Sequence, residues 1–305
     1  MRAAFSESLV RLAKADKNVL LLTGDHGYAL FDEFRKQCPA QYINAGIAEQ
    51  NMVGMAAGLA RAGFKPFVYG LAAFVPVRVL EQIKLDVAHD QLPVVFLGDG
   101  AGFVYSSLGT SHQSTEDIAC TRAIPHLGVY SPADRFEITM CMEQAYHADG
   151  PVYLRMGKSD RGDVHAGKLP QARPGTLLPV RQGKPGGLAF IATGSMVRTA
   201  MALAEARDAS LWSVPVIKPI DEKQVAEVCA AHPAGVVVLE EHSVIGGLGS
   251  LVAEIAAEHA PVRLLRIGVP DRFSEHCGSY DYLLREHGLD LASIAPRVAA
   301  FERKA

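Results

Sequence analysis

Residues 46–60 read GIAEQNMVGMAAGLA, a run of small and apolar residues with a single carboxylate set into it. At 3.6 residues per turn, Glu49 shares a helix face with Met52, Val53, Ala56 and Ala60, whereas Gln50 and Asn51 point elsewhere. The acid therefore lies on the apolar face. Taking an unpaired carboxylate out of water costs several kcal/mol, by order of magnitude, unless it is hydrogen-bonded or protonated. Something must hydrogen-bond it. The plainest account of its position is the first turn after Gly46, where the positive end of a helix favours an acid.

On either side of this helix, short β-branched runs alternate with helical patterns. NVLLLT (18–23), KPFVYG (65–70), LPVVFLG (92–98), LGVYS (127–131) and PVYLRM (151–156) read as strands, with helices near 74–89 and 134–147 between them. That alternation predicts a parallel, doubly wound sheet. From 157 to 187 the pattern gives way to Gly, Pro and charge, which sets a first domain at 1–157, a linker at 158–186 and a second domain at 187–305. In the second domain GLAFIAT (187–193), ASLWSV (209–214), GVVVLEE (235–241) and PVRLLRIG (261–268) resume the alternation. The predicted fold is thus α/β throughout, with two doubly wound, mostly parallel sheets.

The length of 305 residues suits about two domains of ~150 residues, and an apolar content of 49% is ample for both cores. Thirty basic against thirty-three acidic residues give a net charge of −3 with no Lys/Arg block, which argues against nucleic acid as a partner. The five cysteines, at 38, 120, 141, 229 and 277, form no CxxC pair and read as reduced thiols of a cytoplasmic protein. The N-terminus lacks a basic-then-apolar signal, and no apolar run approaches the ~18 residues of a membrane span.

GIAEQNMVGMAAGLA resembles, almost letter for letter, a motif of the transketolase family, in which this Glu binds the aminopyrimidine ring of thiamine diphosphate. The resemblance implies the partner that burial demands. It makes Glu49 the residue that shares a proton with the ring nitrogen, favouring the imino form that can deprotonate the neighbouring thiazolium carbon. YGLAAFVPVRVLEQIKLDVA (69–88) resembles the family's next segment, where an aromatic stacks on the same ring and an Arg follows four residues later. Phe74 and Arg78 occupy those places, with Tyr69 as a second cofactor-binding candidate. LGTSHQSTEDIACTRAIP (108–125) resembles the loop around an active-site His, which assigns His112 to catalysis and substrate binding. In PVYLRMG, Arg155 matches an Arg that binds the substrate's anionic end, and Arg2 in MRAAF matches another.

The resemblance covers essentially the whole chain, including ATGSMV (192–197), VPVIKPID (214–221), EEHSVIGGLGS (240–250) and RIGVPDRFSEHCGSYDYLL (266–284) in the second domain. GGLGS fits neither GxGxxG nor a Walker pattern and reads as strand-to-helix packing. What is missing is the diphosphate and metal site, which in the family is GDG followed some two to three dozen residues later by an Asn. GDG occurs at 98–100, but no Asn follows Asn51, so it is a decoy and this chain carries no metal ligands. The resemblance then implies that a separate N-terminal subunit holds the diphosphate with Mg²⁺ or Ca²⁺. The cofactor would lie across the interface of a heterotetramer with two copies of each chain, and this chain alone would be inactive.

Aligned without gaps from His112, the family's substrate-binding His falls on Gly100 and its donor-hydroxyl Asp on Leu108. In GYALFDEF (27–34), Tyr28 and Leu30 replace a Ser and a Lys of related split enzymes, and His26 is the candidate compensating ligand. Ordinary pentose phosphates are therefore expected to be poor substrates, in favour of a modified sugar, a nucleotide-linked sugar or an acyl donor derived from a 2-oxoacid. The expected function is transfer of a two-carbon ketol or acyl unit from a ketose-like donor to an aldehyde. The rivals are a 2-oxoacid dehydrogenase β-subunit, a carboligase like deoxyxylulose-phosphate synthase, and a non-catalytic scaffold.

Overall fold

A computed structural model describes residues 1–27, 29–158, 160–170 and 172–303. Tyr28 lies outside these residues. The first domain carries strands β1 (Val19–Thr23), β2 (Tyr42–Asn44), β3 (Lys65–Leu71), β4 (Val95–Asp99), β5 (Gly128–Tyr130) and β6 (Val152–Met156). They pair in parallel in the order β5-β6-β4-β3-β1-β2. Helices α1 (Arg2–Ala15), α2 (Asp32–Gln37), α3 (Glu49–Arg61), α4 (Leu80–Gln82), α5 (Asp117–Arg122) and α6 (Arg135–His147) complete it.

Successive side chains on a strand face opposite ways, and β1, β3, β4 and β6 are covered on both faces, which is why they read as largely apolar runs, whereas the edge strand β2 is not. Leu21, Phe67, Val95 and Leu97 pack with Phe5 and Leu9 of α1, Phe34 of α2 and Ile138 and Met142 of α6. Leu20, Leu22, Val68 and Phe96 face the other way, onto Met52, Val53 and Ala56 of α3.

The second domain contains β7 (Leu178–Arg181), β8 (Ala189–Ala192), β9 (Ser210–Ser213), β10 (Val216–Lys218), β11 (Val236–Ser243) and β12 (Leu264–Val269). Between and after them run α7 (Met196–Glu205), α8 (Glu222–Ala231), α9 (Leu248–His259), α10 (Tyr280–Glu286) and α11 (Leu291–Glu302). Its sheet runs β12-β11-β8-β9-β7, with only β7 antiparallel.

Two features depart from the sequence reading. The segment read as linker contains β7, whose Leu178 pairs with Ser213, so the second sheet starts before residue 187. Pro179 cannot donate to a ladder, but an edge strand tolerates it, which is why a proline-rich stretch conceals a strand. In addition, β10 leaves its own domain and pairs antiparallel with β5 at the edge of the first sheet. The apolar core under α3 continues through Ile191, Val252 and Ile255, so the two domains share one core.

The helix expected near 74–89 starts only at Val77, after Pro76 has disfavoured helical geometry at Val75. It opens as a tight 3₁₀ turn, relaxes to α geometry through α4 and widens further into a π-helical stretch at Ile83–Ala88. The helix expected at 134–147 forms as α6, where the Asp134 side chain accepts from the N–H groups of Phe136 and Glu137 at 2.9 Å each.

Candidate active site

In an open parallel sheet, ligands bind beyond the carboxyl ends of the strands. The loops that leave β2, β3 and β4 at that edge carry Glu49, Phe74 and His112 respectively. Glu49 is the first residue of α3, only 6% exposed, as its helical phase predicts. Its Oε1 accepts from Nη1 of Arg78 at 3.3 Å. The Arg78 guanidinium lies over the Phe74 ring, 3.9 Å from the centroid, and the Phe74 ring meets His112 edge-on at 5.3 Å. The Ser111 hydroxyl stands 3.0 Å from His112 Nδ1. Four residues that the sequence reading chose separately thus form one contiguous group.

Arg78 is the exposed member. Its side chain is 47% exposed, and its bond to Glu49 is long. A single half-exposed partner is a weak tether for a buried carboxylate, and a better donor can replace it.

The other candidates stand apart from this group. Tyr69 is buried, its ring edge-on to Phe31 at 4.7 Å, and its hydroxyl donates to Asp99 Oδ2 at 2.8 Å. It therefore presents no ring face, which corrects the stacking role expected for it. Burial and the neighbouring Asp99 raise its pKa far above that of a free phenol. Arg2 donates to the same Asp99 oxygen at 2.7 Å, and Tyr105 does so at 3.0 Å, which leaves Tyr105 with a pKa pushed up to about 12, chiefly by burial. His26 hydrogen-bonds the Gly24 carbonyl through Nδ1 and lies 6.0 Å from Tyr69, and its buried Nε2 has no partner among the described residues. Leu30 packs on the core under α1.

Arg155 is also corrected. It is 1% exposed and spans the domain boundary, with Nε donating to Asp117 Oδ2 at 2.8 Å and Nη2 to the Glu241 carbonyl at 2.7 Å. The Tyr153 hydroxyl donates to the same Asp117 oxygen at 2.6 Å. Tyr153 and Arg155 are two apart on β6 and so face the second domain together. A guanidinium bound in this way cannot reach a substrate.

The sequence reading missed Asp99, Tyr105, Asp117 and Glu241. Asp99 was hidden by reading GDG only as a metal motif, although an acid ending a buried apolar strand is itself a signal. Glu241 accepts from Phe103 N–H at 2.7 Å and from the Ser195 and Tyr280 hydroxyls, partners that no local pattern reveals.

The GGLGS turn is filled by the protein itself. Glu240 accepts from the N–H groups of Leu248 and Gly249, at 2.7 and 2.8 Å, and occupies the start of α9 where an anion would otherwise bind. Burial raises its pKa to about 7 despite those donors. Next to it, His242 Nδ1 bonds the Ser243 carbonyl at 2.8 Å while Nε2 accepts from Ala119 N–H at 3.1 Å, which fits the neutral ring, and burial lowers its pKa to about 4. Among the described residues no three His, Cys, Asp or Glu side chains are grouped to hold a metal ion, and no helix is long and apolar enough to cross a membrane.

Two family models match in succession: the transketolase pyrimidine binding domain over residues 1–162 and the transketolase C-terminal domain over 179–294. The chain belongs to the transketolase family. It is 34% identical to a subunit of the apulose-4-phosphate transketolase of Phocaeicola vulgatus, over 99% of this chain and 97% of that one. It is 35% identical to the SqwH subunit of the 6-deoxy-6-sulfo-D-fructose transketolase of Clostridium sp. (strain MSTE9), over 96% and 92%. Among solved structures it superimposes on a split gene transketolase, an inactive β4 tetramer, with a TM-score of 0.87 and 32% identity over 100% of this chain and 97% of that one.

Proposed function

We propose that this chain is the pyrimidine-binding half of a two-component, thiamine diphosphate-dependent transketolase. In that role it moves a two-carbon ketol unit from a ketose-like donor to an aldehyde. The observation that carries the reading is Glu49, buried at the start of α3 beside an aromatic face and held by one replaceable donor. The Arg78 guanidinium is planar, bears N–H donors, stacks on Phe74 and donates to Glu49. A ring-protonated aminopyrimidine is likewise a flat cation whose ring N–H can donate to a carboxylate, so the residues present fit it. The cofactor, when bound, would supply a thiazolium carbon acid whose deprotonated form can attack a ketose carbonyl.

Glu49 then holds a proton shared with the ring nitrogen, in a setting too dry for water to compete. Phe74 fixes the plane of the ring, Arg78 swings aside to admit it, and His112, at the edge of Phe74, donates a hydrogen bond to the reacting oxygen. A companion subunit carrying the N-terminal half holds the diphosphate and its Mg²⁺ or Ca²⁺, in an assembly with two copies of each chain. The family membership and the full-length match to subunits of other transketolases support this. A cytoplasmic place in carbohydrate metabolism follows from that reading.

The test is reconstitution with an N-terminal transketolase subunit from the same organism. The complex is expected to transfer ketol units and to melt higher with thiamine diphosphate, with both effects lost in Glu49→Ala. Release of carbon dioxide with pyruvate and an aldehyde would favour a deoxyxylulose-phosphate-synthase-like carboligase. Pyruvate-dependent reduction of an electron acceptor would favour a 2-oxoacid dehydrogenase β-subunit. Retained cofactor binding without turnover of any substrate would leave a scaffold.

A further inference from the structure

The loop between β4 and α5 carries His112 on one limb and Tyr105 on the other, and it is pinned at its base by reciprocal bonds between Gly102 and Ser114, at 2.7 and 3.0 Å. Tyr105 is half-buried and its ring covers Gly100, where φ is +76° and a Cβ would run into the phenol. No side chain fits at residue 100 while Tyr105 is in place, so the phenol fills the space that the family resemblance gives to an imidazole. Asp99 fixes the hydroxyl, and the Asp99 carbonyl in turn accepts from Ala72 N–H at 2.8 Å, tying this cluster to the loop that bears Phe74.

The chemistry of the cluster differs from that of a phosphate site. A phosphate calls for converging N–H donors and unspent positive charge. Here Arg155 is buried against Asp117, and the charge of the half-exposed Arg2 is offset by Asp99, so neither arginine expected to meet an anion offers unspent positive charge. Beside them the Tyr105 oxygen donates to Asp99 and accepts a long bond from Arg2 Nη2 at 3.4 Å, which leaves it one lone pair, and the His26 Nε2, without a partner among the described residues, lies next to Tyr69. Acceptors joined to an aromatic ring suit O–H and C–H groups and repel a dianion.

We propose that Tyr105, held by Asp99, determines specificity by contacting an uncharged, hydroxyl-bearing end of the sugar substrate. The proposal rests on the transketolase reading above and narrows its substrate to one without a terminal phosphate on this side of the site.

The test uses the reconstituted complex with hydroxypyruvate as ketol donor and two acceptors that differ only in charge, D-glyceraldehyde and D-glyceraldehyde 3-phosphate. The wild type is expected to favour the unphosphorylated aldehyde at least tenfold in kcat/KM. Tyr105→Phe should erase most of that preference by raising the KM for D-glyceraldehyde while leaving the KM for hydroxypyruvate unchanged. Tyr105→His, which restores an imidazole, should shift preference toward the phosphate, and melting curves of both variants separate specificity from folding. A wild type that favours the phosphorylated acceptor, or variants with an unaltered ratio, overturns the assignment of Tyr105 alone. Absence of ketol transfer to either acceptor overturns the transketolase reading and this inference with it.

Discussion

Glu49 and Asp117 are both buried carboxylates beside an arginine, yet they serve opposite ends. Asp117 is fully buried and its Oδ2 is taken by Arg155 and Tyr153, two partners that are themselves buried. Among the described residues Glu49 has one side-chain partner, half exposed and 3.3 Å away. A buried charge is tolerable only when paired, and the quality of the pairing decides what else it can do. Two short bonds to buried partners make a structural joint, whereas one long bond to a half-exposed cation leaves a carboxylate open to a ligand.

That contrast can be broken most sharply at Glu49. Glu49→Ala in the reconstituted complex should lower ketol transfer by a factor of about 10²–10⁴, the usual worth of a positioned acid or base. Its melting temperature without cofactor should move little, because Arg78 turns to solvent without penalty. A large loss of stability at unchanged turnover would reverse the comparison.

Asp117→Ala should do the reverse. It leaves Arg155 buried and unpaired, a cost of about 3–5 kcal/mol, read as a lower urea midpoint of the isolated chain. The double variant Asp117→Asn with Arg155→Met should recover much of that loss, since both charges leave together. A single variant as stable as the wild type would show that the seam between the domains is not held by this pair.

The smallest effect sharpens the same point at Glu240 and His242, whose pKa values are driven in opposite directions by one shared burial. The Glu240 carboxyl titrates at about 7 when folded against 4.5 when exposed, so its contribution is full below pH 4.5 and is lost as pH rises through 7. His242 titrates at about 4 against 6.5, so its contribution is present above pH 6.5 and is lost as pH falls toward 4. Between about pH 5 and 6.5 the two slopes oppose and nearly cancel. His242→Gln should therefore make stability rise as pH falls, and Glu240→Gln should make it fall, each by about 1 kcal/mol per pH unit. Denaturant titrations across that range check the signs, and parallel slopes in the two variants would refute the account.

Much of this was readable in advance. The helical phase of Glu49 against Met52, Val53 and Ala56 predicted its burial, and the family resemblance of 69–88 put Phe74 and Arg78 with it. Local periodicity and motif context report on residues close in the chain. Arg155 was misread because its partners, Asp117 and Glu241, are 38 and 86 residues away. Tyr69 was misread for a similar reason, since its hydroxyl is claimed by an acid 30 residues on. The strand β7 escaped notice because Pro179 masks a pattern that only its ladder with β9 makes evident.

The sequence by itself determined two α/β domains, an acid on the apolar face of α3 and the identity of the side chains at the strand ends, because periodicity and turn chemistry are local. Only the tertiary structure decided which charges are spent and which remain available. Pairing depends on how β6, β11 and the loop after β4 are brought together, and a one-dimensional pattern cannot say which oxygen an arginine will meet.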